Sequence, residues 1–342
     1  MLKVSALLKI NRLKIASAVF AIHGKGYAGR HYFGEYVGYP SLNKKTRWLS
    51  PGQMIYKLDF YPQTAIDSVL PKARIGFTET LPIDIFIKTS NIDWLEMQRR
   101  DHKIIDIAEK CQYIKVEGEK FGNYRTMLEI GLVSKDGKRR TFRGSDVETR
   151  YLINPQYYKA TGIKAGNMAN IPGGEAFVTP EYVKGQFIGD VVISIDQSYI
   201  LNGNNPIIVN CFGNRYKVVK GPKDILKKFE EKKKESWKKL IEQEKNKSLP
   251  KDIIDTNKKN FNNIGEFAIN TNPKAELCNY LIVNEKIANM LHIALGSGFE
   301  ADRATYYHTD IVIDSPRQKF DVYGVDKNGK KYWIHKKGKF VV

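Results

Sequence analysis

This sequence has few cysteines and no long hydrophobic run. Three cysteines occur in 342 residues. Cys111, Cys211 and Cys278 lie far apart without a Cys-x-x-Cys pair, which argues against a disulfide framework and indicates a reducing compartment. No apolar run reaches the ~18 residues that a membrane-spanning helix requires. We therefore predict a cytoplasmic protein that does not cross a membrane.

The sequence also has little that indicates a secretory leader. Residues 15–22 form a short apolar run after a basic start, as a signal peptide would. However, this run is at the short limit for such a peptide, and Ile22-His23 is a poor cleavage site. We predict that the run is a buried strand or helix.

Acidic residues are outnumbered by basic ones. The chain has 56 Lys and Arg against 37 Asp and Glu, for a formal net charge of +19. Such a charge can favour anionic partners. The densest basic run, residues 223–247, mixes Lys with Glu around one apolar stripe, which predicts a solvated helix. Because no recognisable DNA or RNA module is present either, we do not favour nucleic-acid binding as the main function.

Prolines break up the first hundred residues, and residues 24–29 read Gly-Lys-Gly-Tyr-Ala-Gly. This short sequence matches the dinucleotide-binding fingerprint. The segment after it is rich in glycine and aromatic residues and does not have a helical pattern, and no acid follows at ~20 residues to hold a ribose. We predict a glycine-rich turn and no cofactor-binding residues.

The secondary-structure pattern changes near residues 105–110. Residues 91–108 have helical periodicity, whereas strands and hairpins dominate afterwards. We predict an α+β protein with a smaller N-terminal α/β domain at 1–105 and a mostly antiparallel β, metal-binding domain with a few helices at 106–342. Strands are predicted at 113–117, 127–133, 139–142, 190–195, 207–212, 215–219, 309–313, 319–325, 332–335 and 339–342. A polar linker is predicted at 247–263 and a helix at 284–295.

Four of six candidate metal ligands lie near the C-terminus. A helix at 284–295 would project Glu285 and His292 from one face, because they are two helical turns apart. His308 and Asp310 have the i, i+2 spacing that places both side chains on one face of a strand. Imidazole and carboxylate together favour Zn, Co, Mn or Fe over Ca. The alternative for His292 is a packed core histidine, since apolar residues surround it.

Two further acids stand in segments marked by glycine. Glu175 follows a Pro-Gly-Gly sequence, which predicts a tight and rigid backbone path. Glu266 follows a glycine on an alternating strand among apolar neighbours, where an acid must be paired, protonated or bound to metal. The remaining histidines form no comparable cluster and are interpreted as structural or exposed: His23, His31, His102 and His335.

These segments together resemble the thermophilic aminopeptidase T (leucyl aminopeptidase-like) family of metallopeptidases. That family carries an Asn-x-Pro-x-Gly-Glu segment, a Gly-Glu strand followed by an Asn, an Asp-Glu-Lys…His helix and a closing His-x-Asp. The corresponding residues in this sequence, in the same order, are 170–175, 265–272, 284–292 and 308–310. The resemblance covers the chain from about residue 105 to its end.

The resemblance implies a two-metal aminopeptidase that releases N-terminal residues from peptides, and a homodimer. Two close divalent cations, such as Zn, Co or Mn, polarise a peptide carbonyl and lower the pKa of a bound water. Glu266 would bridge the ions, and Glu175 or Glu285 would be the catalytic carboxylate that passes a proton to the leaving amine. The implied metal ligands are Glu175, Glu266, Glu285, His292, His308 and Asp310.

This sequence departs from the family in two respects. The family has a tyrosine seven residues after the helix histidine, well placed to donate to a developing oxyanion, where this chain has Phe299. Loss of one such donor typically costs ~3 kcal/mol of transition-state stabilisation. Tyr306 and Tyr307 are candidates to replace it. The N-terminal region is also shorter than the family's N-terminal domain, which shapes substrate access and the dimer.

Two other functions stay open. A related branch with this fold is a mononuclear iron dioxygenase that opens hydroxylated pyridine rings, and such chemistry uses two histidines and one carboxylate. His308 and Asp310 could hold one Fe(II) together with His292 or Glu266, although one iron does not need all the acidic ligands. The third alternative is a redirected or non-catalytic homologue that works on one specific peptide in a biosynthetic pathway.

Overall fold

The structure, a computed structural model, describes residues 19–23, 75–144, 146–147, 168–201, 203–247, 251–299 and 301–342. The predicted glycine-rich turn at 24–29, His31 and most of the predicted N-terminal domain lie outside these residues. The apolar run at 15–22 overlaps a strand at Val19–His23. None of the described helices is long and apolar enough to cross a membrane.

Helices confirm two of the predicted segments, 91–108 and 223–247. Asp93 begins the first of these by accepting a hydrogen bond from the backbone N–H of Glu96 at 2.9 Å, which is a favourable N-cap. In the described residues the α-helices are α1 Ile83–Ser90, α2 Trp94–Lys110, α3 Lys223–Lys245, α4 Lys251–Asn260, α5 Leu281–Asn284 and α6 Ser315–Gln318, and a 3₁₀ turn lies at Ala301–Arg303.

Strand residues outnumber helical residues in the described chain, as predicted for the region after residue 110. They are β1 Val19–His23, β2 Ile75–Glu79, β3 Cys111–Phe121, β4 Tyr124–Gly131, β5 Arg143–Gly144, β6 Asp146–Val147, β7 Met168–Asn170, β8 Glu175–Val178, β9 Tyr182–Gly189 and β10 Val192–Ser194. They continue with β11 Ser198–Ile200, β12 Ile207–Phe212, β13 Arg215–Lys220, β14 Ile264–Asn270, β15 Leu291–Gly296, β16 His308–Ile313, β17 Asp321–Asp326, β18 Lys331–Lys336 and β19 Lys339–Phe340.

The described strands form three sheets. A seven-stranded sheet has the order β11-β10-β16-β15-β14-β8-β5, and an eight-stranded sheet has the order β13-β12-β9-β4-β3-β17-β18-β19. The pairs in both sheets are antiparallel. A four-stranded sheet, β1-β2-β7-β6, contains parallel pairs. The mixture of helices with largely antiparallel sheets is compatible with the predicted α+β class.

The main core lies between the seven-stranded and eight-stranded sheets. Alternate residues of β14, β15 and β16, such as Phe267, Ile293 and Ile311, join one buried cluster with Ile114 of β3 and Phe187 of β9. Since side chains alternate along a strand, the other face of β14–β16 is left for a different set of residues. That opposite face carries the candidate ligands described below.

Three predicted segments are wrong, and the first is the linker at 247–263. The polar linker at 247–263 contains α4, whose buried face includes Asn257 and Asn260 instead of a fully apolar stripe. Asn260 Nδ2 donates to the carbonyl oxygen of Asp302 at 2.9 Å, so an amide contact helps to dock this helix. Hydrophobic periodicity does not detect such a helix, because amides count as polar in the pattern.

The predicted helix at 284–295 is also wrong. Helix α5 ends at Asn284, and residues 291–296 form strand β15. The apolar residues Leu291, Ile293 and Leu295 alternate with His292 and face the core, which is the period-two pattern of a strand.

The segments predicted as strands at 127–133 and 139–142 are joined by a tight turn, but the second of them is not a strand. The backbone N–H of Ser134 donates to the carbonyl oxygen of Lys138 at 2.9 Å, and Gly137 has φ +82°. Residues 139–142 form no strand and make an isolated bridge between Arg139 and Val133, and the Arg139 guanidinium donates to the carbonyl oxygen of Cys111 at 2.8 Å. Helix α2 spans the predicted domain boundary near 105–110, and the division into two domains stays a prediction.

Candidate metal centre

Three neighbouring strands of the seven-stranded sheet, β14, β15 and β16, carry most of the candidate ligands on one face. Ala294 of β15 lies opposite both Glu266 of β14 and Asp310 of β16 in the strand register. His292 precedes Ala294 by two residues and therefore projects from the same face. Because Ala294 ends in a methyl group, the two carboxylates flank a small residue near the middle of the cluster.

A tight turn presents Glu175 at the start of β8, opposite Asn270 of β14. Gly174 has φ +122°, a conformation that side-chain-bearing residues rarely adopt. A Cβ atom at Gly174 would lie 2.5 Å from the Cβ of Asn272. Asn272 Nδ2 in turn donates to the carbonyl oxygen of Gly173 at 2.8 Å. The turn predicted from the glycines thus packs against Asn272. This packing fixes the backbone that presents Glu175.

The first ligand group consists of Glu175, Glu266 and His292, whose ligand atoms all lie within 4.8 Å of one another. His292 Nε2 lies 3.0 Å from Glu266 Oε1 and 3.6 Å from Glu175 Oε2. The other ring nitrogen, Nδ1, lies 2.8 Å from Asn270 Oδ1. Because an amide oxygen only accepts, Nδ1 carries hydrogen and Nε2 is directed at the carboxylates.

The second ligand group consists of Glu266, His308 and Asp310, again within 4.8 Å. His308 Nε2 lies 2.9 Å from Asp310 Oδ1, and His308 Nδ1 lies 2.7 Å from the carbonyl oxygen of Ser297. A carbonyl oxygen accepts from Nδ1–H, so this imidazole is also held with Nε2 toward the acids. The strand spacing predicted for His308 and Asp310 is confirmed.

Glu266 belongs to both groups, and five of the six predicted ligands therefore meet in one place. The sixth, Glu285, lies in neither group within the described residues. It follows α5 directly, and its Oε1 accepts from Lys286 Nζ at 2.9 Å. The helix that was expected to bring Glu285 and His292 to one face is absent at these positions, which explains the difference.

Sequence reasoning assigned no role to Lys286 or Asn270. Lys286 is fully buried, with Nζ 2.5 Å from Glu175 Oε1. Asn270 is also fully buried, and it orients His292. Lys286 lies within the family-like segment at 284–292, but a lysine beside a glutamate is usually solvated, so the sequence held no clear signal for a buried pair. The i, i+4 spacing of Glu266 and Asn270 on one strand was a signal for Asn270.

The pKa values of the acids and imidazole reflect burial and close charges. Burial raises the pKa of Glu175 to about 7, against the opposing charge of Lys286. Burial acts on Glu266 in the same sense, but the hydrogen bond from His292 and the charges of His308 and His292 together outweigh it and lower the pKa of Glu266. Burial would lower the pKa of His292, but the hydrogen bond with Glu266 and the charge of Glu175 raise it to about 9. The carboxylates of the cluster thus stabilise a positively charged group beside them.

Phe299 stands where the family has a tyrosine, and its ring packs edge-on to Phe177, with centroids 5.5 Å apart. The hydroxyl groups of Tyr306 and Tyr307 have other partners. Tyr307 donates to the carbonyl oxygen of Phe261 at 2.6 Å in the core, and Tyr306 bonds to Gln243. Neither tyrosine therefore takes the place of the missing donor.

The residues fit a divalent cation site. Three carboxylates and two imidazoles are ligands that suit Zn, Co, Mn or Fe. Glu175 Oε2 is buried and makes no hydrogen bond within the described part of the chain, which is unusual for a carboxylate oxygen. A cation would satisfy this atom.

Comparisons with known proteins support the fold. Neither a family model nor a curated protein matches the chain by sequence. The structure is similar to that of wild-type AmpT from Thermus thermophilus, with a TM-score of 0.51 and 16% sequence identity, over 99% of this chain and 79% of that chain. At this level of identity, the similarity shows a shared fold.

Proposed function

We propose that this chain is a two-metal hydrolase, and specifically an aminopeptidase that releases N-terminal residues from peptides. The observation that carries the proposal is the sharing of Glu266 by two ligand groups. A carboxylate that belongs to two adjacent groups suits a bridging ligand between two cations. The fold shared with AmpT and the four family-like segments, taken together, support the same reaction class.

The proposed ligands divide into two sets that share one member. The first set is Glu175, Glu266 and His292, and the second is Glu266, His308 and Asp310. When bound, two such cations polarise a peptide carbonyl and lower the pKa of a bound water.

The chain's own residues orient the site for this chemistry. Asn270 and the Ser297 carbonyl oxygen each hold one imidazole through Nδ1, which keeps both Nε2 atoms toward the acids. Two carboxylates are proposed to pass a proton to the leaving amine. Glu175 belongs to the first ligand group, whereas Glu285 belongs to neither group and forms an ion pair with Lys286. Glu175 is therefore the closer of the two to the proposed cations.

A mononuclear iron site is a weaker proposal. It would use His292, His308 and one carboxylate, and would leave other acids of the cluster without a cation. We further propose a cytoplasmic homodimer that acts on a peptide or another small molecule. The free thiols Cys111, Cys211 and Cys278 support a reducing compartment, and the dimer follows from the family resemblance.

Metal analysis of full-length protein purified without chelator tests the proposal. We expect about two Zn, Co or Mn ions per chain and release of N-terminal amino acids from peptides. One iron per chain with oxygen consumption would support the dioxygenase instead. Protein that binds no metal, and whose stability a chelator leaves unchanged, would contradict both enzymatic functions and support a non-catalytic homologue.

A further inference from the structure

Lys286 is a buried cation inside the acid cluster. Its side chain is 1% exposed, and Nζ lies 2.5 Å from Glu175 Oε1 and 2.9 Å from Glu285 Oε1. A buried ammonium group is retained only when close partners compensate for its lost hydration. Lysine at this position therefore forms a three-residue bridge between the start of β8 and the end of α5.

This bridge divides the two oxygens of Glu175 between different partners. Oε1 is taken by Lys286, with Asn170 Nδ2 at 3.5 Å. Oε2 lies 3.6 Å from His292 Nε2 and makes no hydrogen bond within the described residues. The geometry thus presents one oxygen of Glu175, and not both, to the first ligand group.

The same bridge accounts for the position of Glu285. The Oε1 atom of this carboxylate faces the ammonium group, and the residue belongs to neither group of ligand atoms in the part of the chain that is described. Glu285 therefore contacts the cluster through Lys286.

We propose that Lys286 is a positioning residue that holds Glu175 for single-oxygen binding of one cation, and that Glu285 supports Lys286 and is not a ligand. This inference rests on the proposed two-metal function. It differs from the family-based expectation, in which Glu285 binds metal directly.

Isothermal titration calorimetry of Zn²⁺ binding to the full-length protein, stripped of metal by a chelator, tests the inference. Lys286→Met removes the ammonium group and keeps an unbranched side chain. We expect this variant to bind one of the two ions about 10- to 100-fold more weakly, the usual effect of losing an outer-shell partner, and the other ion as before. Lys286→Arg retains the charge and should recover part of the loss. Glu285→Gln should keep both ions, whereas Glu175→Gln should lose one.

The outcomes separate the inference from the proposed function. Loss of a positive charge would by itself attract cations more strongly. Unchanged or tighter binding of both ions by Lys286→Met would therefore overturn the positioning role and leave the two-metal function intact. Loss of an ion in Glu285→Gln equal to that in Glu175→Gln would make Glu285 a ligand and overturn the inference. Wild-type protein that takes up no Zn²⁺ would overturn the function and the inference together.

A double variant tests the inference if Lys286→Met does not fold. Glu285→Gln combined with Lys286→Met removes a positive and a negative charge together, which lowers the cost of burying an unpaired group. We expect the double variant to bind one ion about 10- to 100-fold more weakly, as Lys286→Met does. Unchanged affinity for both ions would overturn the positioning role.

Discussion

Glu266 Oε1 and His292 Nε2 lie 3.0 Å apart across the antiparallel pair β14–β15. A carboxylate oxygen of the same glutamate also lies within 4.8 Å of ligand atoms of His308 and Asp310, on the far side of Ala294. The strand register, with a small residue in its centre, therefore places one carboxylate between two imidazoles.

Replacement of Glu266 should affect both cations. Glu266→Gln keeps the volume of the side chain but removes the charge, so we expect weaker binding of both ions. Glu175→Gln should weaken one ion only, because Glu175 belongs to one group. Zn²⁺ stoichiometry and affinity, measured by calorimetry, compare the two variants. Loss of a single ion in Glu266→Gln would contradict a bridging role.

Replacement of His308 should remove the ion of the second group. We expect His308→Ala to weaken the binding of that ion by more than about 100-fold. Loss of a residue that only hydrogen-bonds to a metal ligand already lowers metal affinity 10- to 100-fold. His102→Ala is the matched control, because His102 lies on α2 outside both ligand groups. Elemental analysis of both variants, purified without chelator, measures the effect. Full loading of His308→Ala would count against every enzymatic function considered above.

The turn at Gly174 should tolerate no side chain. Gly174→Ala places a methyl group 2.5 Å from Asn272 Cβ at a positive φ, so strain and overpacking add, and we expect a loss of about 3 kcal/mol in unfolding free energy. Gly137→Ala also has a positive φ, of +82°, but meets no atom within 4 Å and should cost only about 1 kcal/mol. Urea unfolding of both variants gives the comparison. Equal losses would show that the contact with Asn272 is unimportant.

His335 should make the protein less stable in acid. Its side chain is buried against Phe340, and burial lowers the pKa of His335 from 6.5 to about 3. Between these values the unfolded state binds more protons, so the free energy of unfolding rises with pH through this window and levels off above about pH 6.5. Relative to neutral pH, this histidine should account for a loss of about 2 kcal/mol at pH 5.

A matched pair of variants isolates this effect from other titrating groups. His335→Leu should show a smaller difference in unfolding free energy between pH 7.5 and pH 5 than the wild type. Ile334→Val, which trims a neighbouring buried side chain and changes no titrating group, should retain the full difference. Identical differences in all three proteins, measured by urea unfolding, would contradict the assignment to His335.

Most strands could be predicted from the sequence because their apolar residues alternate on a two-residue period. The pattern in β14 and β16 was clear enough to place Glu266, His308 and Asp310 on strands. Helix α4 could not be predicted in this way, since its docked face uses the amides of Asn257 and Asn260. The segment 284–295 was misread because Glu285 and His292 have helical spacing by coincidence, whereas its apolar residues alternate.

Residue types and their order along the chain were sufficient to predict the cluster's chemistry: carboxylates and imidazoles in the family-like order, on a largely antiparallel scaffold. The partners of each acid depended on contacts between distant segments. Glu175 and Lys286 are separated by more than a hundred residues, yet their charged atoms lie 2.5 Å apart. No local pattern encodes such a contact, because strand register and the end of α5 decide which acid meets the ammonium group and which faces the imidazoles.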